Sequence, residues 1–171
     1  MADEPITWLP PSPPEPAQTE TAPPAPEYAG WGQRFGAYLL DLAIQIAFAV
    51  VVSVVLLGPS AFEEDSEVDG TLNGLSYVIT AAASIAYFAI LMRRTGARNG
   101  QTWGRQAAGI RVVRDDGRPV GPWFAAWRDY VVKGLVSAFT LGIDLLWPLW
   151  ERENRTLHDL LLKTHVVRVP T

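Results

Sequence analysis

The sequence predicts an α-helical integral membrane protein with two full transmembrane helices, a third apolar segment and a small cytoplasmic pair of β-strands. Two stretches, at about 35–57 and 72–92, are almost wholly apolar, and each is long enough to cross a bilayer, which takes about 20 residues of helix. A third stretch, at about 131–150, is apolar but interrupted by polar residues. The charges are segregated too, with acids in the first loop and arginines in the second.

Length and composition limit the classes of protein that this chain can be. At 171 residues it fits one domain. Without cysteine it has no disulfide or thiol chemistry, and its two histidines, His158 and His165, do not indicate a metal site. The sequence also lacks a nucleophile elbow, a phosphate loop and an HExxH helix. We therefore expect no enzyme activity, no metal and no cofactor.

The N-terminal segment, residues 1–30, differs in composition from the rest. It holds nine prolines and five acids, and it has too little apolar surface to form a core. We therefore expect a disordered, proline-rich cytoplasmic tail, followed by one membrane domain over residues 31–169.

The first predicted helix has a polar face in an apolar surrounding. Arg34, Tyr38, Asp41 and Gln45 are spaced so that all four lie on one side. An aspartate in the middle of a membrane helix costs roughly 2.5–3.5 kcal/mol, so Asp41 needs a partner or must be neutralised. Two interpretations remain open. Asp41 either pairs with Arg34 or accepts hydrogen bonds and fixes helix packing, or it is a titratable group in a polar cavity.

The second predicted helix has a polar face as well, made by Asn73, Tyr77, Thr80, Ser84 and Tyr87. Small and hydroxyl residues at a membrane helix interface usually indicate close packing with interhelical hydrogen bonds. We favour packing over a ligand path, and we expect this face to supply the neighbour of Asp41.

The second loop holds eight arginines between residues 93 and 128. Short loops rich in arginine stay in the cytoplasm, so this loop and the N-terminus are predicted to be cytoplasmic. Strands are predicted at about 110–113 and 165–169 as a pair, and an interfacial helix at about 122–130.

The arginines of this loop suggest contacts at the membrane surface. Arg105, Arg111 and Arg114 are candidates for binding anionic lipid or a protein partner. The alternative, which we favour, is that the arginines only set the topology. Nucleic acid is not expected as a partner, because the loop is short and tied to the membrane.

The third apolar segment, about 131–150, allows two topologies. As a single span it would put the basic C-terminal tail outside the cell, against the charge rule. As a re-entrant helical hairpin that breaks near Thr140, it leaves both strands on one side, and we favour this form. Lys133 and Asp144 lie on its polar face, where they are candidates to complete a site around Asp41.

Asp159 follows at the third position of a short helix that Thr156 would cap. It either serves only as a helix cap or pairs with an arginine near the membrane.

Together these motifs resemble the RDD family of small bacterial integral membrane proteins. The resemblance rests on an arginine that opens the first helix, an aspartate within it, a glycine-rich turn at 100–105 followed by Gly-Ile-Arg-Val-Val, and a C-terminal His-Asp. It covers about residues 31–169. By position, Arg34, Asp41 and Asp159 match the residues that name the family.

The chain departs from the family pattern at two places. Arg105 stands where the family turn usually has lysine, which keeps the charge. Lys163 stands where the family often has glycine before the last strand, which puts the form of that turn in question. For activity, the resemblance implies only a role suggested for the family in transport, including cation/proton exchange.

Two functions from different classes follow. The first is transport across the bacterial inner membrane, with cation/proton exchange its most concrete form and a polar core made by Arg34, Asp41, Gln45, Lys133 and Asp144. A chain this small would need a homo-oligomer to enclose a pathway. The alternative is a non-transporting membrane module: a partner subunit, an assembly factor or a regulator that binds anionic lipid.

Overall fold

The computed structural model describes residues 26–58 and 70–169. The predicted acidic loop and the greater part of the predicted disordered tail lie outside these residues. Two helices, α1 (Trp31–Leu57) and α2 (Gly70–Met92), are apolar and long enough to cross a membrane. The two long apolar helices predicted from the sequence are therefore confirmed, and each begins slightly earlier than expected.

Both long helices turn apolar side chains outward. Val51 is 58% exposed and Val55 is 75% exposed, although valine in a water-soluble protein is usually buried. Small and polar residues of the same helices face inward, and Ala37, Asp41 and Ser76 are buried. This inside-out distribution is the one expected of helices that face lipid.

The connection after α2 carries a 3₁₀ turn (Gly96–Arg98), helix α3 (Trp103–Ala107) and strand β1 (Ile110–Arg114). Gly100 holds β1 against this connection, because its carbonyl accepts the Val112 amide at 3.0 Å. A side chain at Gly100, where φ is 77°, would overlap the Val112 carbonyl. Glycine is therefore required where the two segments cross.

The third apolar segment consists of two helices joined by a sharp bend. Helix α4 (Pro122–Phe139) and helix α5 (Ile143–Leu149) make an angle of 102°. The break comes at Leu141 and Gly142, which both have positive φ, close to the position that the sequence suggested. The predicted interfacial helix at about 122–130 is not a separate element, because no glycine or proline interrupts the chain between Pro122 and the middle of α4.

The middle of α4, Trp127–Val132, is π-helical. A π turn changes the direction of the side chains that follow, and such turns are frequent at functional sites. Here it allows the consecutive residues Arg128 and Asp129 both to point into the protein, where both are buried.

The chain ends in helix α6 (Leu157–Leu162) and strand β2 (Thr164–Arg168). Strand β2 pairs antiparallel with β1, in a register that places Val112 opposite Val166. The predicted strand pair is confirmed by this two-stranded sheet.

The segment that precedes α1 also joins the sheet. Tyr28 forms a bridge with Val167, and the Ala29 amide donates to the Val166 carbonyl at 2.9 Å. The sequence assigned these residues to the tail, whereas the structure uses them to hold the start of α1 against β2. A small core fills the space between the sheet and the helix ends, made by Ala29, Ala37, Met92, Ile110, Val112, Val120, Ala125 and Val166.

Candidate functional site

A cavity of about 410 Å³ lies between α1, α2, α4, α5 and α6. Four cationic side chains line it: Arg34, Arg105, Arg128 and Lys133. Three aspartates line it as well: Asp41, Asp129 and Asp159. Charged groups are therefore concentrated inside a protein whose long helices are apolar on the outside.

Asp41 accepts three hydrogen bonds. The hydroxyls of Tyr87 and Thr102 each donate to its carboxylate at 2.6 Å, and the Gly104 amide donates at 2.8 Å. Arg34 does not pair with Asp41, so the packing interpretation of Asp41 holds only in its hydrogen-bonded form. The interpretation as a titratable group in a polar cavity stays a prediction. The sequence predicted that the polar face of α2 supplies a neighbour for Asp41, and Tyr87 of that face donates a hydrogen bond to it.

Gly104 allows this contact because α3 packs directly on α1. A side chain at Gly104 would overlap the Ala37 carbonyl and lie 2.8 Å from the Asp41 carboxyl carbon. The Thr102 side chain also caps α3, accepting the Arg105 amide at 3.2 Å. The glycine-rich turn of the sequence thus positions two of the three donors around this carboxylate.

A continuous chain of ion pairs runs through the cavity wall. Arg34 donates to Asp159 at 2.6 Å, and Arg128 pairs with both Asp159 and Asp129. Asp129 also pairs with Arg105. Three arginines and two aspartates alternate, so each buried carboxylate lies between two guanidinium groups, which offsets part of the cost of burying charge.

Asp159 is fully buried and connects three parts of the fold. Besides Arg34 of α1 and Arg128 of α4, it accepts the hydroxyl of Thr164 at 3.0 Å and the Thr156 amide at 3.3 Å. Burial raises the pKa of Asp159, but Arg128, together with His158 and Arg34, outweighs this and holds the pKa well below its usual range. Both interpretations offered for Asp159 therefore apply, since it caps α6 and pairs with arginines.

Asp144 makes a separate contact with His158. Its carboxylate lies 2.7 Å from His158 Nδ1 and accepts the His158 amide at 3.2 Å. The other ring nitrogen lies 3.1 Å from the Thr156 hydroxyl. Asp144 therefore fixes α5 to α6, and it does not meet Asp41 as the sequence suggested.

Lys133 and Gln45 lie in the same cavity without charged partners. The Lys133 ammonium sits 4.2 Å from the centre of the Tyr38 ring, and within the part of the chain that the structure describes it forms no ion pair. Gln45 accepts the Ser84 hydroxyl at 2.6 Å, and its amide nitrogen has no partner there.

The three arginines predicted to contact lipid or a partner occupy different environments. Arg105 points into the protein towards Asp129, because the turn that ends in it packs on α1. Arg114 is held by Asp116 at 2.6 Å and lies over the Phe124 ring at 4.2 Å. Arg111 makes no side-chain hydrogen bond among the described residues, and its Nε is buried.

Sequence reasoning missed Arg128 and Asp129 as site residues. Arg128 closes the predicted basic loop, and Asp129 falls within the interfacial helix predicted at about 122–130. At the start of that helix Trp123 faces outward and is 85% exposed. The available signal was two adjacent opposite charges inside an otherwise apolar stretch. No cluster of three or more histidine or acidic side chains that could hold a metal occurs within residues 26–58 and 70–169.

The fold and the cavity define a class: a helical protein of the membrane type, with outward apolar helices around a buried network of charges. The RDD family model matches residues 28–163, and the chain belongs to this family. The resemblance seen in the motifs is therefore confirmed, and Arg34, Asp41 and Asp159 all lie in the matched part. No curated protein and no solved structure matches the chain.

Proposed function

We propose that the protein is a small membrane transporter in which a proton and a cation compete for Asp41. One observation carries the proposal: Asp41 lines the cavity, and it is the cavity aspartate with no ion-pair partner in the described residues. Asp129 and Asp159 are each bound by two arginines, so their charge is fixed. A carboxylate that forms no ion pair can be neutralised either by a proton or by a metal ion.

The groups around Asp41 suit this exchange. The hydroxyls of Tyr87 and Thr102 donate to the carboxylate now, but a hydroxyl can turn its proton away and present an oxygen lone pair. Carboxylate and hydroxyl oxygens are hard ligands, which alkali cations prefer to nitrogen or sulfur. Protonation of Asp41 would release the cation, so uptake of one species drives release of the other.

The same proposal includes a topology. The N-terminus, the β1–β2 sheet and the C-terminus lie in the cytoplasm of a bacterial cell, and the segment from α4 to α5 re-enters the membrane. Because β1 precedes α4 and β2 follows α6, pairing of the two strands supports a segment that begins and ends on one side. Helix α5, with seven residues, covers about 10 Å, a third of the hydrocarbon core.

A hydrogen bond also favours the re-entrant form. The Trp31 indole, in the first turn of α1, donates to the Leu145 carbonyl of α5 at 2.8 Å. Helix α5 therefore lies beside the end of α1 that is next to the sheet.

The test compares wild type with Asp41→Asn in everted membrane vesicles, using a pH-sensitive dye and additions of Na⁺, K⁺ or Li⁺. Asparagine keeps the shape of the side chain and an oxygen for the Gly104 amide, so under the transport proposal we expect the fold to be retained. We expect at least a tenfold loss of cation-dependent proton movement at equal amounts of folded protein. Asp116→Asn, which removes an exposed acid outside the cavity, is the matched control and should transport like wild type.

The outcomes are distinct. Normal exchange by Asp41→Asn would exclude Asp41 as the coupling acid. No response from folded wild type to any of the three cations would exclude cation/proton exchange itself.

A non-transporting module is the second candidate, and the charge of the cavity favours it. Four cationic side chains face three aspartates, so the lining is net positive, which opposes cation entry. In this case the network around Asp159 fixes the fold, and the protein serves as a partner subunit or assembly factor. Asp41→Asn would then lower the amount of folded protein, whereas the transport proposal leaves that amount unchanged.

A further inference from the structure

A second cavity, which we call the basic cleft, lies on the sheet side of the protein. It has a volume of about 620 Å³ and is separate from the cavity around Asp41. It is formed by the connection after α2, by β1 and by the turn that leads into α4. Four arginines line it: Arg93, Arg111, Arg114 and Arg118. Among the described residues that line it, none is an aspartate or a glutamate.

Three of these arginines form no ion pair with an acidic side chain among the described residues. Arg93 and Arg118 are exposed, and neither side chain forms an ion pair within the described ranges. Arg111 also lacks an acidic partner there, and its Nε is buried with nothing to donate to. A buried donor left unpaired costs about 1–3 kcal/mol, so a ligand that accepts this hydrogen bond would recover the cost.

The fourth arginine, Arg114, is held in place. Asp116 binds its guanidinium at 2.6 and 2.9 Å, and the Phe124 ring lies beneath it. It therefore forms a fixed wall of the cleft. The start of α4 lies at the same place, through Gly121 and Pro122, and the first turn of a helix favours negative charge.

The position of the cleft indicates the source of the ligand. Arg93 follows directly on Met92, the last residue of the apolar helix α2, so it lies at the level where lipid headgroups begin. Trp123, at the start of α4, is 85% exposed, and an exposed indole beside arginines is typical of a membrane interface. Fork-shaped guanidinium groups bind phosphate oxygens with two parallel hydrogen bonds, and phosphate is the group that phospholipids carry at this depth.

We propose that the basic cleft binds the phosphate group of an anionic phospholipid headgroup. Arg93, Arg111 and Arg118 supply the charge and the hydrogen bonds, and the indole of Trp123 lies among the first acyl carbons. The inference goes beyond the proposed transport function and does not depend on it, because the two cavities share no lining residue.

The experiment uses the full chain, purified in a mild non-ionic detergent, and measures the thermal unfolding midpoint. Short-chain phosphatidylglycerol is titrated in, beside phosphatidylcholine with the same acyl chains and beside inorganic phosphate. We expect phosphatidylglycerol to raise the midpoint with a saturable concentration dependence. Phosphatidylcholine and inorganic phosphate at the same concentrations should leave it unchanged.

Two variants locate the effect. Arg118→Gln changes an exposed side chain with no ion pair among the described residues, so it should fold normally, and Arg111→Gln removes the buried donor. In each we expect the concentration for half of the shift to rise about tenfold. Arg152→Gln removes an exposed arginine that lies outside the cleft, and it should respond like wild type.

Each contrary result decides against the proposal. An equal response of all three variants would mean that phosphatidylglycerol acts on the protein elsewhere. An equal shift with inorganic phosphate would assign the cleft to free phosphate instead of a lipid. An equal shift with phosphatidylcholine would show that the acyl chains, and not the headgroup charge, cause the effect.

Discussion

At the scale of single residues, the contact between Gly104 and Asp41 is the most constrained point of the site. The Gly104 amide donates to the carboxylate, and its α-carbon faces the Ala37 carbonyl of α1. The main chain of α3 therefore touches the main chain of α1. Nothing larger than a hydrogen atom fits between them.

We predict that Gly104→Ala lowers the stability of the folded protein by about 1–3 kcal/mol, the usual cost of overpacking. The added methyl group meets a backbone carbonyl, which cannot rotate away as a side chain could. The measurement is the thermal midpoint and the yield of monodisperse protein in detergent. Gly36→Ala is the control, because a methyl group there has no neighbour within 4 Å. Equal effects of the two changes would contradict the packing argument.

At the scale of elements, the turn between α6 and β2 contains Lys163, the residue at which the chain departs from the expected glycine. Lys163 closes α6 with φ 51° and ψ 59°, the left-handed conformation that favours glycine. The family often has glycine at this position. Lys163 therefore adopts, at some cost in strain, a conformation that glycine would adopt without a clash.

We expect Lys163→Gly to stabilise the protein by about 0.5–1 kcal/mol, because glycine adopts this conformation without a clash of its β-carbon. Lys163→Ala removes the charge and the long side chain but keeps the β-carbon, so it should bring no gain. Thermal midpoints of the three proteins, measured side by side, test the prediction. A gain in the alanine variant as large as in the glycine variant would show that the charge, and not the backbone, is responsible.

At the scale of the whole molecule, Asp159 joins parts of the chain that are far apart in sequence. Arg34 lies in the first helix, Arg128 in the bent segment and Thr164 in the last strand. Replacing Asp159 by a neutral residue leaves the guanidinium groups of Arg34 and Arg128 without this carboxylate partner. Breaking a buried pair in this way typically costs about 3–5 kcal/mol.

This network gives stability a defined dependence on pH. The pKa of Asp159 is lower in the folded protein than in the unfolded chain, so its stabilising contribution is complete above about pH 4 and is lost as the pH falls below that value. We predict that Asp159→Asn is less stable than wild type at pH 7. The difference should narrow by about 1.4 kcal/mol per pH unit below about pH 4.

Thermal unfolding in detergent from pH 7 to pH 3 tests this prediction. Glu27→Gln serves as the control, because that side chain is 68% exposed and its removal leaves the buried network intact. A difference between wild type and Asp159→Asn that stays constant down to pH 3 would contradict the assigned protonation behaviour.

Much of the fold could be predicted because its signals are local. A membrane helix is specified by the hydrophobicity of about 20 consecutive residues, and a strand by a short β-branched run. The bend after Phe139 was visible for the same reason, through the small and polar residues that interrupt the apolar stretch. The pairing of charges could not be predicted from the sequence, because Arg34 and Asp159 lie 125 positions apart. No spacing rule relates such residues.

The sequence by itself determined the long apolar helices, the strand pair, the family and the three residues that name it. Only the tertiary structure decided that Arg34 meets Asp159, that Asp41 is held by hydroxyls and an amide, and that Arg105 pairs with Asp129. The physical reason is that burial and charge pairing depend on which elements pack together. An isolated aspartate in an apolar helix shows that a partner is needed, and packing alone selects that partner.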